Sequence, residues 1–84
     1  MRKLLEAAET KGKKWRLELW MYTYGEDKRH CGYDVRTLKN GNEVSASVGH
    51  SDFESALRKF NETRIFSAVI DGIDYRDVEI KEES

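Results

Sequence analysis

The sequence predicts an α+β fold: an antiparallel sheet with one main amphipathic helix packed on one face, in the order α-β-β-β-α-β-β. Three observations carry that prediction. Between Trp15 and Val48 apolar residues recur with the period of two that belongs to strands. Asn40-Gly41 divides this stretch with a dipeptide suited to a type I′ hairpin turn, in which both central residues take positive φ. Beyond Ser51, the residues Phe53, Ala56, Leu57 and Phe60 fall at i, i+3, i+4 and i+7, the apolar stripe of a helix lying on a core.

Arg2 to Glu9 sets Leu4, Leu5, Ala7 and Ala8 at helical spacing among charges, and Lys11-Gly12-Lys13 supplies a glycine with basic neighbours suited to a helix C-terminus. A short first helix is expected there. From Trp15 the residues Trp15, Leu17, Leu19, Met21 and Thr23 alternate with Arg16, Glu18, Trp20, Tyr22 and Tyr24, which predicts a strand over 15–24. The polar cluster Gly25-Glu26-Asp27-Lys28-Arg29 breaks the pattern, and a second strand, antiparallel to the first, is expected from His30 to Leu38. A third, Glu43 to Val48, follows the Asn-Gly turn. Ser51-Asp52-Phe53-Glu54 has the form of a capping box with Ser51 as N-cap, and the helix it opens should end near Glu62. Ile65 to Ile70 is a short apolar run, Asp71-Gly72 another hairpin dipeptide, and Ile73 to Ile80 a mixture suited to an edge strand. These read first as a second hairpin, with a helix continuing through 64–70 as the other reading. The phase slips between Tyr75 and Val78, which calls for a bulge or a shorter strand.

Pairing Lys39 with Asn42 across the turn sets Thr37, Val35 and Tyr33 opposite Val44, Ala46 and Val48. Matching apolar faces then sets Leu19 opposite Val35 and Met21 opposite Tyr33, with Glu18 opposite Arg36 on the reverse side as a cross-strand ion pair. One face is thus apolar and covered by Phe53, Ala56, Leu57 and Phe60. The other carries Arg16, Trp20, Tyr22 and Tyr24, with His30, Asp34 and Arg36 beside them and Ser45 and Ser47 on the third strand. Two arrangements fit. Either these rings meet water and form a docking patch of the residue types that anchor interfaces, or the first helix or last hairpin folds back over them. Gly32, opposite Tyr22, leaves a space for the ring.

At 84 residues the chain has room for one core, and residues 1–84 are read as a single domain. Charged residues make up 37 % and hydrophobic ones 38 %, with nine aromatic rings, enough to close that core. The single Cys31 excludes an internal disulfide and suits a reducing compartment. No signal-peptide pattern and no membrane-spanning run are visible, so a cytoplasmic protein is expected. Residues 1–40 hold ten Lys/Arg against six Asp/Glu, and residues 41–84 five against ten, a basic first half and an acidic tail.

The chain has no phosphate-binding glycine loop, nucleophile elbow, paired-cysteine spacing or His-x-x-x-His helix. No enzyme, cofactor or metal is therefore expected. His30 and Cys31 are neighbours on a strand and point to opposite faces, so they cannot share a metal. His50 reads as a loop residue, and Asp71, Asp74 and Asp77 as a solvated acidic edge that discourages strand pairing.

Two classes of function fit. The first is a protein-binding module whose partner-binding residues are Arg16, Trp20, Tyr22, Tyr24, His30 and Arg36, acting as a monomer or homodimer. The second is RNA or single-stranded nucleic-acid binding, because aromatic and arginine side chains on a sheet stack bases. The α-β-β-β-α order resembles the double-stranded-RNA-binding domain. That family opens its second helix with a lysine-rich phosphate clamp, whereas Ser51-Asp52-Phe53-Glu54 here is acidic. The run Gly32-Tyr33-Asp34-Val35, the Asn40-Gly41-Asn42 hairpin and the Gly49-His50-Ser51-Asp52 lead into the helix resemble small phage-encoded proteins, among them anti-CRISPR inhibitors. The resemblance covers about residues 30–80, in element order and turn chemistry, and transfers no functional residue. It implies an inhibitor that occludes a host protein or nucleoprotein complex.

Overall fold

The alternation from Trp15 to Tyr24 becomes the middle strand of a five-stranded sheet, because a strand with one apolar and one mixed face can be paired along both of its edges. The structure, a computed structural model, describes residues 1–80. Its elements are β1 (Arg2–Thr10), β2 (Trp15–Tyr24), β3 (His30–Lys39), β4 (Asn42–His50), α1 (Phe53–Asp71) and β5 (Tyr75–Asp77). The strands lie in the order β4-β3-β2-β1-β5, every pairing is antiparallel, and α1 packs on one face. The α+β class and the antiparallel sheet stand as predicted; the order of elements does not. The acidic end of the chain, residues 81–84, lies outside the described residues.

The β2–β3 pairing follows the expected register, with Leu19 opposite Val35, Met21 opposite Tyr33 and Tyr22 opposite Gly32. Asn40 at φ 52° and Gly41 at φ 82° make the tight turn that pairs Lys39 with Asn42. From there the register departs from expectation. Irregularities between Thr37 and Leu38 and between Tyr33 and Val35 set Ser45 opposite Thr37 and Ser47 opposite Val35. An extra residue reverses which face each side chain takes, so the serines turn to the helix side and Val44, Ala46 and Val48 to the other.

The first helix is a strand. Arg2–Thr10 pairs with β2, Leu4 opposite Trp20 and Ala8 opposite Leu17, with a bulge between Leu4 and Glu6. Its Leu, Ala and Glu favour a helix locally, but so short a helix is marginal alone, and tertiary pairing along the edge of β2 wins. Lys11-Gly12-Lys13 is accordingly a hairpin turn, closed by Lys13 N donating to Thr10 O at 2.9 Å, with Gly12 and Lys13 at positive φ.

The second half of the chain also differs. The helix starts one residue later than the capping box implies: Asp52 is the N-cap, its carboxylate accepting from Ser55 N at 2.7 Å. It runs on through 64–70 to Asp71, since no Gly or Pro interrupts residues 53–71, and ends at Gly72 in the left-handed conformation, φ 66°. The second hairpin is therefore absent, and Asp71-Gly72 is a helix stop. β5 is only three residues long and pairs with β1, Ala8 opposite Asp77 and Thr10 opposite Tyr75.

The core lies between the sheet and the first half of α1. Ala8, Leu17, Leu19 and Val35 from the sheet meet Ala56 and Phe60 from the helix, with Tyr75 closing one side. Leu5, Trp15, Tyr33, Leu57 and Ile73 form its rim. Burial raises the Tyr75 phenol above its ordinary value near 10. In the unfolded chain the phenol ionises freely as the pH passes that value, while the folded chain holds its proton. The unfolded state then binds fewer protons, and stability falls with rising pH. This contribution is fully present below pH 10 and is lost as the pH rises through the raised folded value. The denaturation midpoint, followed from neutral to strongly alkaline pH, should decline less steeply in Tyr75→Phe than in the native protein; parallel declines would show that Tyr75 plays no part.

Candidate functional site

The face of the sheet away from α1 is a face of side chains without a covering element among the described residues. It results from two facts already given: one helix covers the other face, and β1 joins the sheet instead of folding across it. All six residues singled out from the sequence, Arg16, Trp20, Tyr22, Tyr24, His30 and Arg36, lie on this face by register. The arrangement in which a first helix or last hairpin buries the rings is not the one adopted.

The rings run along β2 toward the β2–β3 turn. Trp20 donates from Nε1 to Glu18 Oε1 at 3.0 Å, and the Arg2 guanidinium lies over its ring at 4.5 Å from the centroid. Tyr22 and Tyr24 are tilted neighbours at 5.9 Å, and Tyr24 stacks on His30 at 5.4 Å. β4 adds Val44, Ala46 and Val48; Tyr24, Val44 and Val48 are each more than half exposed. Leu4 and Arg2 from β1 and the two valines were missed in the sequence, β1 because it reads as a helix and the valines because the bulges invert their faces. Gly49, at φ 78°, signals the second of those bulges, since a glycine within a strand marks one, but the inversion itself arises at the irregularity between Thr37 and Leu38, which no glycine within the strand marks.

The charged groups on this face are tied to one another. Arg16 bonds Glu18 through Nε at 2.7 Å and reaches Glu9 at 3.4 Å. Arg36 bonds Asp34 at 2.8 Å and also Glu43. The expected Glu18–Arg36 ion pair is replaced by these partners: Glu18 and Arg36 are opposite in register, but each finds a carboxylate or guanidinium two residues along its own strand, on the same face. The hydrogen bonds that Arg36 donates to Glu43 and Asp34 raise its pKa against a smaller cost of burial, so its charge is permanent. Asp34, buried, also accepts from Gly49 N at 3.2 Å, which pins the β4 bulge.

Of the remaining candidates, His50 is not a loop residue but the end of β4, bridging Ser47 Oγ at 2.9 Å and Ser55 Oγ at 3.1 Å on the helix side. Asp77 is bonded by Arg64 at 2.5 Å and Asp74 lies 3.8 Å from Arg76. No cluster of three or more His, Cys, Asp or Glu poised to hold a metal occurs among the described residues, and no helix among them is long and apolar enough to cross a membrane.

The far end of the Tyr22 ring lies over Gly32: a Cβ there would stand 2.4 Å from the ring's Cζ and Oη. Gly32→Ala should therefore keep the extended backbone, cost about 1 kcal/mol as overpacking, and swing Tyr22 off its site, seen as displaced Tyr22 and Tyr24 ring resonances in NMR spectra. Unmoved ring resonances would contradict the close approach. Comparison with known proteins returned no matching family, no similar curated protein and no similar solved structure.

Proposed function

We propose that the protein is a non-enzymatic binding module that docks its open sheet face on a protein partner and occludes that partner's surface, in the manner of small phage-encoded inhibitors. The observation that carries this reading is the uncovered row Trp20, Tyr22, Tyr24 and His30 on a face that also exposes Val44 and Val48. Aromatic rings beside aliphatic side chains and arginine make up the centre of protein interfaces, and the ring orientations are already set by Arg2, Glu18 and Gly32, so little ordering cost remains on binding.

Charge separates this reading from nucleic-acid binding. The face holds Arg2, Arg16 and Arg36 among Glu9, Glu18, Asp34 and Glu43, and Arg16 and Arg36 each engage two carboxylates. A phosphate backbone would have to break those pairs and approach the carboxylates, which opposes the electrostatic attraction that supplies most nucleic-acid affinity.

The test is capture of interacting protein from cell lysate with the tagged chain, with and without nuclease, beside Tyr24→Ala and Trp20→Ala. Both side chains lie on the open face, so melting should show a folded protein, while affinity for a captured protein falls roughly 30-fold or more, as hot-spot truncation does. Capture that survives nuclease and is lost in both variants supports the proposal. Capture unchanged in the variants overturns it. Loss on nuclease, with binding to single-stranded RNA that weakens steeply with salt, assigns the face to nucleic acid instead.

A further inference from the structure

The helix α1 is apolar on two sides, and the two sides belong to different halves. In its first half Ala56 and Phe60 are buried against the sheet, while Arg58, Lys59 and Glu62 are turned to solvent or lie at the margin. In its second half the sheet-facing side becomes polar: Thr63, Arg64 and Ser67 are the partly buried residues, and Arg64 reaches across to Asp77 Oδ1 at 2.5 Å and Tyr75 O at 3.0 Å. The large apolar side chains there point away. Ile65 is 60 %, Phe66 58 %, Val69 79 % and Ile70 73 % exposed. At about 100° per residue Ile65, Phe66 and Val69 project away from the Ala56, Phe60, Arg64 and Ser67 side, and Ile70 lies at the edge of the arc they share. A helix that is apolar on both sides is one that is covered on both sides, and four such residues within two turns form a patch, not scattered exposure.

We propose that this patch is the twofold interface of a homodimer, formed by antiparallel packing of the second half of α1 on the same segment of a second copy. Self-complementarity selects a second copy as the occupant. With the crossing centred between Ser67 and Ala68, Ile65 meets Ile70 of the other copy and Phe66 meets its Val69. Every large apolar side chain of the patch thus finds an apolar partner from the same set of four, and the nearest charged groups, Arg58 and Glu62, lie at its margin. With the adjoining stems of Arg58 and Glu62, the pairing withdraws on the order of 1,000 Å² in total, the lower range for specific association, so dimerisation is reversible and depends on concentration. The open sheet faces then point outward on opposite sides of the dimer, and the inference stands independently of what those faces bind.

Sedimentation or light scattering over a series from low micromolar to millimolar protein tests it. The native chain should rise from the mass of one chain to that of two, and Trp20→Ala and Val48→Asp, which alter the sheet face, should dimerise unchanged. Phe66→Glu and Val69→Lys should each stay monomeric with an unaltered melting temperature, since both positions face solvent in the single chain. Mixing these two variants should restore a dimer, because position 66 of one then meets position 69 of the other and the new charges pair. A native chain that remains monomeric throughout, a dimer that persists in Phe66→Glu, or one that dissociates in Val48→Asp overturns the proposal, and a mixture that stays monomeric overturns the antiparallel register.

Discussion

One helix has to shelter a sheet much wider than itself. Five strands spaced about 4.8 Å apart span roughly 20 Å between their outer axes, and a helix with its side chains is only about 10 Å across. The sheet order β4-β3-β2-β1-β5 sets β2 and β3 near the middle, and the fully buried Leu17 and Leu19 and the nearly buried Val35 lie on those two strands. Toward the margins the helix no longer reaches. There the helix side of β4 carries Ser45 and Ser47, which with Lys59 and Thr63 line an open polar groove of about 440 Å³. On the other flank small residues and Tyr75 complete the closure. The opposite face of the sheet receives no cover at all from the described residues, and its composition follows from that: rings and valines interleaved with paired charges, instead of a uniformly polar surface.

The parts legible in the sequence are those decided by local period and turn chemistry. β2 was legible to the residue and β3 to within one residue at its end, because ten alternating positions and a short polar turn admit one pairing that keeps Leu17, Leu19 and Val35 on one side. The Asn40-Gly41 turn was legible for the same reason. β1 was not, since Leu4, Leu5, Ala7 and Ala8 satisfy a helical spacing equally well and the deciding factor is the unpaired edge of β2, which local sequence does not record. The length of α1 was obscured by Ile65, Phe66, Val69 and Ile70, whose β-favouring side chains look like a strand when each apolar residue is assumed to face the core. They form a helix because nothing breaks it before Gly72. Of the candidate site, the β2 and β3 residues were legible, and the contributions of β1 and β4 were hidden by the misread first element and by bulges.

The two apolar surfaces differ in how they are held. On the sheet face each ring has a fixed neighbour: Trp20 between Arg2 and Glu18, Tyr22 over Gly32, Tyr24 against His30. That rigidity suits recognition of one partner surface with little loss of side-chain freedom. On the helix the four residues have no such neighbours and present plain aliphatic and aromatic bulk, which suits packing against a like surface. Arg64 makes this possible, since its bonds to β5 anchor the second half of α1 through polar contacts and release the apolar residues from the core.

The bulge near Gly49 ties the sheet face to the helix. Without the extra residue there, His50 would turn to the open face and lose its place beside α1; the inversion that puts Val44, Ala46 and Val48 on the open face is set earlier, at the irregularity between Thr37 and Leu38. With the extra residue, two consequences arise together. The Gly49 N–H reaches Asp34, which in turn holds Arg36; and His50 comes to lie between Ser47 and Ser55 in the first turn of α1. The side of Asp34 that anchors the bulge and the side that orders Arg36 belong to one carboxylate, so the geometry of the candidate docking face and the starting point of the helix are set by the same buried group. A nearly buried, charged Asp34 in so small a domain is costly unless paired, and its three-way role across β3, β4 and the open face is what offsets that cost.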